Sequence, residues 1–161
     1  MNYQWQAARH HDVEDIVALM VEYYQHEIES IFRPNPSRVR YHLFKILNDQ
    51  IFGVNTEFIR IARNDGNHLI AISWLGRDSH TVYADEEMAV AEFIHVDLSL
   101  PTRTRVRLIQ DILQNWIELC QERSIPILCS TTIRSDQSAF MRLHERMGFT
   151  VRGSVAYRRI M

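Results

Sequence analysis

Apolar side chains that recur three and four positions apart mark four stretches of the chain as amphipathic helices. These stretches run from Asp12 to about Ile31, from Ser37 onward, around Leu108 to Cys120, and from Ala139 to Met147. Asp12 is predicted to cap the first helix, and Pro34 with Pro36 separates it from the second. Gly148 follows the last helix directly and is predicted to end it in a left-handed conformation.

Shorter apolar runs predict strands. They cover Tyr3 to Ala8, Phe58 to Ile61, Leu69 to Trp74, Met88 to Leu98 and Ile127 to Thr132, with a closing strand or hairpin from Phe149 to Ile160. Asp65 and Gly66 stand between the second and third runs, which is a strong hairpin signal. Residues 76–87 are polar and are predicted to form a loop. Strand alternation places Glu92, Ile94 and Val96 on one face, opposite His95.

The resulting order of elements is β-α-α-β-β-β-α-β-α-β, which predicts an α/β sheet with helices on both faces. A strand, a helix and a strand follow one another between residues 88 and 132 and predict a parallel pair joined by a right-handed crossover. The chain of 161 residues has the length of one domain, so residues 1–161 are predicted to form a single domain.

Composition narrows the classes of function. The chain carries 18 basic and 20 acidic residues, a balance that argues against a protein that coats nucleic acid. No apolar run is long enough for a membrane span and the beginning of the chain does not resemble a signal peptide, so we expect a cytoplasmic protein. His10 and His11 have no second cluster at ligand spacing, and we expect no metal.

Residues 142–149 read Arg-Leu-His-Glu-Arg-Met-Gly-Phe. This run is similar to the closing motif of the GCN5-related N-acetyltransferase superfamily. Ala8 to Asp12 is a looser match to the family's first strand and helix, and Ala91 to Val96 resembles the central strand of its histone-acetyltransferase branch. The resemblance implies a mixed central sheet, acetyl-CoA as cosubstrate, and transfer of an acetyl group to an amine of a small molecule or a protein.

Two catalytic roles follow from this resemblance. Glu92 corresponds to the residue that acts as general base in the histone-acetyltransferase branch, and its apolar neighbours favour a raised pKa. The alternative is a glutamate at the edge of a strand without a catalytic role. His144 stands where the family often has a tyrosine that protonates the leaving thiolate. A polar residue on the exposed side of a helix is the alternative for His144.

The family's glycine-rich pyrophosphate loop is absent from this sequence. Val106 and Leu108 fall where glycines are expected, and no glycine occurs between residues 77 and 147. Arg103, Arg105 and Arg107 carry charges that can bind phosphate in its place. Alternatively, the segment has lost cofactor binding and the arginines form a solvated cap.

The remaining cofactor contacts are implied by position. The backbones of Val96 and Leu98 are predicted to pair with the pantetheine arm, as a ligand that extends a sheet does. Gln137 is a weak substitute for the asparagine that usually touches the cofactor in the family.

Acidic and aromatic residues mark the predicted acceptor site. Tyr24, Glu27 and Tyr83 lie in the segments that would shape it, and such a lining favours a cationic amine. The runner-up interpretation is a catalytically silent module of the same fold that binds or regulates, and nucleic-acid binding through the arginines is weaker still. Exposed strand edges make a homodimer possible.

Overall fold

The structure is a computed structural model that describes residues 2–23, 32–53, 56–132 and 138–152. The strands of this described part are β1 (Tyr3–Ala7), β2 (Glu57–Asn64), β3 (Leu69–Thr81), β4 (Ala84–Val96) and β5 (Ile127–Cys129). Its α-helices are α1 (Val13–Tyr23), α2 (Pro36–Ile51), α3 (Thr102–Glu122) and α4 (Ser138–Arg146). None of these helices combines the length and the apolar character that crossing a membrane requires.

The strands form one mixed sheet in the order β1-β2-β3-β4-β5. The first four strands pair antiparallel, and β5 runs parallel to β4 after the crossover through α3. The predicted mixed sheet is therefore confirmed. Of the predicted closing strand, Phe149 to Arg152 have no regular structure, and residues 153–161 lie outside the described residues.

Each face of the sheet is covered by its own apolar core. On one face, Leu108, Ile112, Leu113 and Trp116 of α3 pack on side chains from the four strands that follow β1 in the sheet, together with Leu143 of α4. On the other face, α1 and α2 contribute Ile16, Met20, Leu43 and Ile46. Burial of these apolar side chains holds the two helical layers on the sheet, since apolar surface removed from water contributes about 25 cal/mol per Å² to the free energy of folding.

The start of the first helical segment differs from the prediction. A 3₁₀ turn at His10–Asp12 leads directly into α1, and the Asp12 carboxylate accepts a hydrogen bond from the Arg9 backbone N–H at 2.9 Å. Asp12 is also fully buried and pairs with Arg63 at 2.7 Å. The prediction of Asp12 as N-cap is therefore wrong, because the segment begins one turn earlier and Asp12 lies inside it.

Two other helix ends are stabilised by local contacts of the backbone. The Asn35 side chain accepts a hydrogen bond from the Arg38 backbone N–H at 3.1 Å, and Pro36 occupies the first turn of α2, where it needs no hydrogen-bond donor. Gly148 has φ 89°, and the Phe149 N–H donates to the His144 carbonyl at 3.0 Å. The predicted left-handed ending of α4 at Gly148 is confirmed.

The predicted loop at residues 76–87 is wrong. β3 continues to Thr81 and β4 begins at Ala84, so that Val82 and Tyr83 form the tip of a long hairpin. Arg77 and Glu87 pair across the two strands at 2.8 and 3.0 Å. The outer part of this hairpin is largely accessible to solvent and lacks the apolar alternation by which a strand is recognised.

Candidate active site

A β-bulge interrupts β4 in the middle of the sheet. Trp74 pairs with Phe93 and the next residue, Leu75, pairs with Ala91, so Glu92 is the extra residue on β4. A bulge turns a side chain away from the regular alternation, and bulges are enriched beside active sites. The bulge is the local feature that sets the direction of the Glu92 carboxylate.

The bulge places Glu92 on the face of the sheet that α1 and α2 cover. Ile94 and Val96 pack into the opposite core, so the predicted common face for these three residues is wrong. The Glu92 carboxylate instead lies over Gly76 of β3, with Oε1 3.0 Å from the point where a Cβ of residue 76 would stand. The side chain remains accessible to solvent.

A second carboxylate lies near Glu92. Glu57 pairs with Gly76 across β2 and β3, and its Oε2 accepts a hydrogen bond from Trp74 Nε1 at 3.0 Å. Partial burial raises the pKa of Glu92, and the negative charge of Glu57 raises it further. A carboxylate with a raised pKa is better suited to accept a proton near neutral pH.

Beside this carboxylate, β4 loses its partner on the β5 side. β5 pairs with β4 only from Met88 to Val90, within the part of the chain that the structure describes. The backbone from Ala91 to Val96 is therefore not bonded to β5, and an extended ligand can pair with such an edge. The Val96 side chain is buried, and Leu98 lies half-buried in the turn that follows β4.

The turn after Val96 leads into the uncapped start of α3. Asp97 accepts a hydrogen bond from the Ser99 N–H at 2.8 Å, and Pro101 precedes the helix without a side-chain cap. The Thr104 N–H donates to the Pro101 carbonyl at 2.9 Å, so the Thr102 and Arg103 amides are the ones without a partner inside the helix. Together with the positive end of the helix dipole they suit an anion.

The segment aligned with the pyrophosphate loop is helical. α3 begins at Thr102, so Val106 and Leu108 lie in its first two turns. Leu108 is fully buried in the core, whereas Val106 is 40% exposed. The two positions at which the family's glycines are expected therefore lie inside α3, and residues 97–101 form the connection between β4 and α3.

The three arginines of this helix start have different surroundings. Arg105 bends back to Thr102 Oγ1 at 3.2 Å, and its buried Nε has no hydrogen-bond partner among the described residues. The Arg107 guanidinium lies over the Tyr3 ring, 5.7 Å from its centroid, and Arg103 is exposed. A buried N–H without a partner costs about 1–3 kcal/mol, so Arg105 is the side chain that an anion would satisfy.

Comparison with known proteins gives the fold but no sequence relative. No protein-family model and no curated protein matches the sequence. An aminoglycoside 6′-N-acetyltransferase from Acinetobacter baumannii superposes with a TM-score of 0.72 at 14% identity, over 98% of this chain and 97% of that one. A predicted acetyltransferase with acetyl-CoA from Clostridium acetobutylicum has a TM-score of 0.72 at 13% identity, over 99% of this chain and 97% of that one.

A plant enzyme extends the same likeness to both full lengths. The glucosamine-6-phosphate N-acetyltransferase of Arabidopsis thaliana has a TM-score of 0.72 at 8% identity and covers 100% of each chain. The chain has the fold of the GCN5-related N-acetyltransferases. At these identities the likeness concerns the fold, and the assignment of the site depends on the residues themselves.

His144 has a buried place in this acetyltransferase fold. Its exposed fraction is 2%, so the alternative of a polar residue on the exposed side of the helix is wrong. Its Nδ1 lies 2.9 Å from the Phe140 carbonyl and therefore donates to it, and its Nε2 lies 2.9 Å from Ser130 Oγ. Burial lowers the pKa of His144, which disfavours the imidazolium that proton donation to a thiolate would need.

Of the predicted acceptor residues, Tyr83 is not brought together with Glu92. Tyr83 is 91% exposed at the hairpin tip, nine positions along β4 from Glu92, a distance of roughly 30 Å along an extended strand. Tyr24 and Glu27, and Gln137 on the cofactor side, lie outside the described residues. Instead, the acetyltransferase fold places Glu57, Trp74 and Gly76 around Glu92.

These neighbours of Glu92 carry no motif that identifies them in the sequence. Glu57 opens a strand, Trp74 reads as a core residue, and Gly76 reads as the start of a loop. Only the antiparallel register of β2 and β3 brings the three positions to one place on the sheet. The one available signal was the glycine, because a glycine inside a strand often marks a close approach of another group.

Proposed function

We propose that this protein is an N-acetyltransferase that transfers an acetyl group from acetyl-CoA to an amine of a small molecule or a peptide. The observation that carries the proposal is the bulge at Glu92, which lies between an acidic surface and the strand edge that β5 leaves unpaired. A base and an open binding edge for an acyl donor therefore meet at one point of the acetyltransferase fold.

The residues at the start of α3 fit the pyrophosphate of coenzyme A. The unpartnered Nε of Arg105 and the uncapped amides would hold the negative charge, and exposed Arg103 would add to the attraction. The backbone of β4 up to Val96, with Leu98 in the turn beyond, would pair with the amide groups of the pantetheine arm. We give Arg107 a lesser role because its guanidinium lies over Tyr3.

Glu92 carries the proton transfer in this proposal. When bound, acetyl-CoA supplies an acyl thioester whose carbonyl carbon is attacked by the acceptor nitrogen, with the C–N bond forming and the C–S bond breaking. Coenzyme A leaves as the thiolate, which takes its proton from solvent. Glu92 accepts the proton that the amine loses, directly or through a water molecule. Backbone N–H groups of β4 near the bulge would orient the acyl oxygen. We assign no proton-transfer step to His144, which is held neutral in the core.

An amine acceptor is supported by the charge at the site and by the named activities of similar folds. Glu57 and Glu92 give this surface negative charge, which attracts a cation. The solved acetyltransferases of this fold include ones named for aminoglycosides, for glucosamine-6-phosphate and for the alanine of a ribosomal protein. Formation of a homodimer and a cytoplasmic location stay predictions.

The missing glycines favour a second candidate, a silent module that binds without turnover. A panel of primary amines, amino sugars and peptides, incubated with acetyl-CoA and analysed by mass spectrometry together with free-thiol release, separates the two. The proposal predicts an acetylated amine and an equal amount of free thiol for at least one acceptor. Binding of acetyl-CoA without any acetylated product would favour the silent module.

A further inference from the structure

We propose that Gly76 and Glu57 are positioning residues that act through Glu92: Gly76 leaves the space in which the Glu92 carboxylate lies, and Glu57 fixes the charge beside it. The inference rests on the role of Glu92 in the proposed function. It goes beyond that function because neither position belongs to a recognisable motif, and both are on strands other than the one that carries Glu92.

Gly76 is required for space and not for backbone conformation. Gly53 and Gly148 have positive φ, whereas Gly76 does not, so its backbone is accessible to any residue. A Cβ at residue 76 would stand 3.0 Å from Glu92 Oε1, 3.4 Å from its Cγ and 3.6 Å from its Cδ. Any other side chain at this position therefore displaces the Glu92 carboxylate from the place it now occupies.

Glu57 is the charged group that acts on Glu92 from across the sheet. Its carboxylate is held by Trp74 Nε1 at 3.0 Å, and its backbone carbonyl accepts from Gln50 Nε2 at 2.8 Å. These two contacts hold Glu57 beside the end of α2, and its carboxylate lies on the face of the sheet that carries Glu92.

Other charged groups lie near this surface. On β3, Arg77 is paired with Glu87 of β4. On α2, His42, Lys45 and Asp49 line a small concavity together with Glu57. Among the described charged groups, it is Glu57 whose charge raises the pKa of Glu92. Glu57 is thus the neighbour whose loss should change the protonation of Glu92.

Titration of the Glu92 carboxyl by carbon NMR tests the inference without any assay of turnover. Samples labelled in glutamate side chains are titrated as wild type, Glu57→Gln and Gly76→Ala, with Glu92→Gln assigning the resonance. Since a like charge raises the pKa of a carboxyl, Glu57→Gln should move the Glu92 midpoint to lower pH. Glu118→Gln, an exposed change on α3, should leave it in place. An unmoved midpoint in Glu57→Gln would overturn the role of Glu57.

Steady-state kinetics of Gly76→Ala test the spatial role. Because a displacement of about 1 Å can cost up to 100-fold in rate and a Cβ at residue 76 requires a smaller shift than this, kcat should fall by roughly 2- to 10-fold while KM for acetyl-CoA stays unchanged. Gly66→Ala is the matched control: Gly66 also has no positive φ, a Cβ there would stand 3.1 Å from His68 Cδ2 and 3.4 Å from Asn64 Oδ1, and kcat should not change.

A double-substitution cycle separates positioning from a general loss of structure. In the Glu92→Gln background, Gly76→Ala should lower kcat no further, because the group that it displaces no longer accepts a proton. An equal further loss in that background would overturn the positioning role. If wild type turns over no amine at all, the proposed function fails, and the NMR titration still decides whether Glu57 acts on Glu92.

Discussion

Glu92 is the extra residue of the β4 bulge, and this position sets the direction and the surroundings of its carboxylate. The bulge moves its carboxylate out of the core that holds Ile94 and Val96 and over Gly76. Partial burial and the charge of Glu57 raise its pKa, so the basic form is lost as pH falls through a higher value than for an ordinary glutamate. The rate of transfer should therefore rise with pH as the Glu92 carboxyl loses its proton.

Glu92→Gln should lower kcat/KM at neutral pH by about 10²- to 10⁴-fold, the usual contribution of a general base. The deficit should shrink at high pH, where the free amine is abundant. The measurement is the pH profile of kcat/KM for wild type and variant, with the exposed Glu86→Gln as control. A profile of the same shape in Glu92→Gln would remove Glu92 from the role of base.

His144 is predicted to matter for stability and not for proton transfer. Burial lowers its folded pKa below the ordinary value of 6.5, so the unfolded chain binds the proton more readily. The stabilisation by neutral His144 is fully present above about pH 6.5 and is lost as pH falls through the folded pKa. The free energy of unfolding should therefore decline more steeply with falling pH in wild type than in His144→Phe.

Denaturant unfolding of both proteins at a series of pH values measures this difference. His144→Phe leaves the Ser130 hydroxyl without its partner, so the slope with pH is compared and not the absolute stability. The folded variant should also keep most of its turnover. Equal slopes would contradict a neutral, buried imidazole, and loss of turnover in a folded variant would restore His144 as a catalytic acid.

At the scale of elements, the long hairpin of β3 and β4 carries Tyr83 away from the site. Tyr83→Ala should change the free energy of unfolding by less than about 0.5 kcal/mol, because the side chain is 91% exposed. The acceptor KM should also stay unchanged. The test is denaturant unfolding together with acceptor saturation curves, and a several-fold rise in KM would show that the tip reaches the acceptor after all.

The elements differ in how far the sequence predicts them, for a physical reason. α3 and α2 were predictable because each buries one face, and burial of Ile112 or Leu43 imposes a helical period on the sequence. The bulge at Glu92 leaves no periodic mark, since one added residue shifts the alternation only once. The prediction of a loop at residues 76–87 was wrong because a hairpin that projects into water buries neither face and so lacks alternating apolar residues.

The candidate site could be predicted only in part, because most of its geometry arises between elements. Glu92 and Arg105 could be proposed from their positions along the chain, whereas Glu57 and Gly76 join the candidate site only through the register of β2, β3 and β4. The sequence alone does not show which of Arg103, Arg105 and Arg107 is best placed to bind phosphate. Contacts across the fold distinguish them, such as that of Arg107 with Tyr3 of β1.

At the scale of the whole molecule, the sheet separates two apolar cores, and residues from both of its faces contribute to the proposed site. α3 approaches β4 from one face and brings the arginines, whereas α1 and α2 cover the other face, where Glu57 and Glu92 lie. An acyl donor bound along the open edge of β4 would thus reach an acceptor held on the acidic face. This account requires first of all that the chain binds acetyl-CoA.

Isothermal titration with acetyl-CoA, on wild type and two single variants, tests that requirement most directly. Wild type should bind, and Arg105→Ala should weaken binding by about 10- to 100-fold, the worth of a hydrogen bond to a charged group. Arg107→Ala, whose guanidinium lies over Tyr3, is the matched control and should change the affinity much less. No binding of acetyl-CoA or free coenzyme A by the folded wild type would contradict the account and leave a silent module of the same fold.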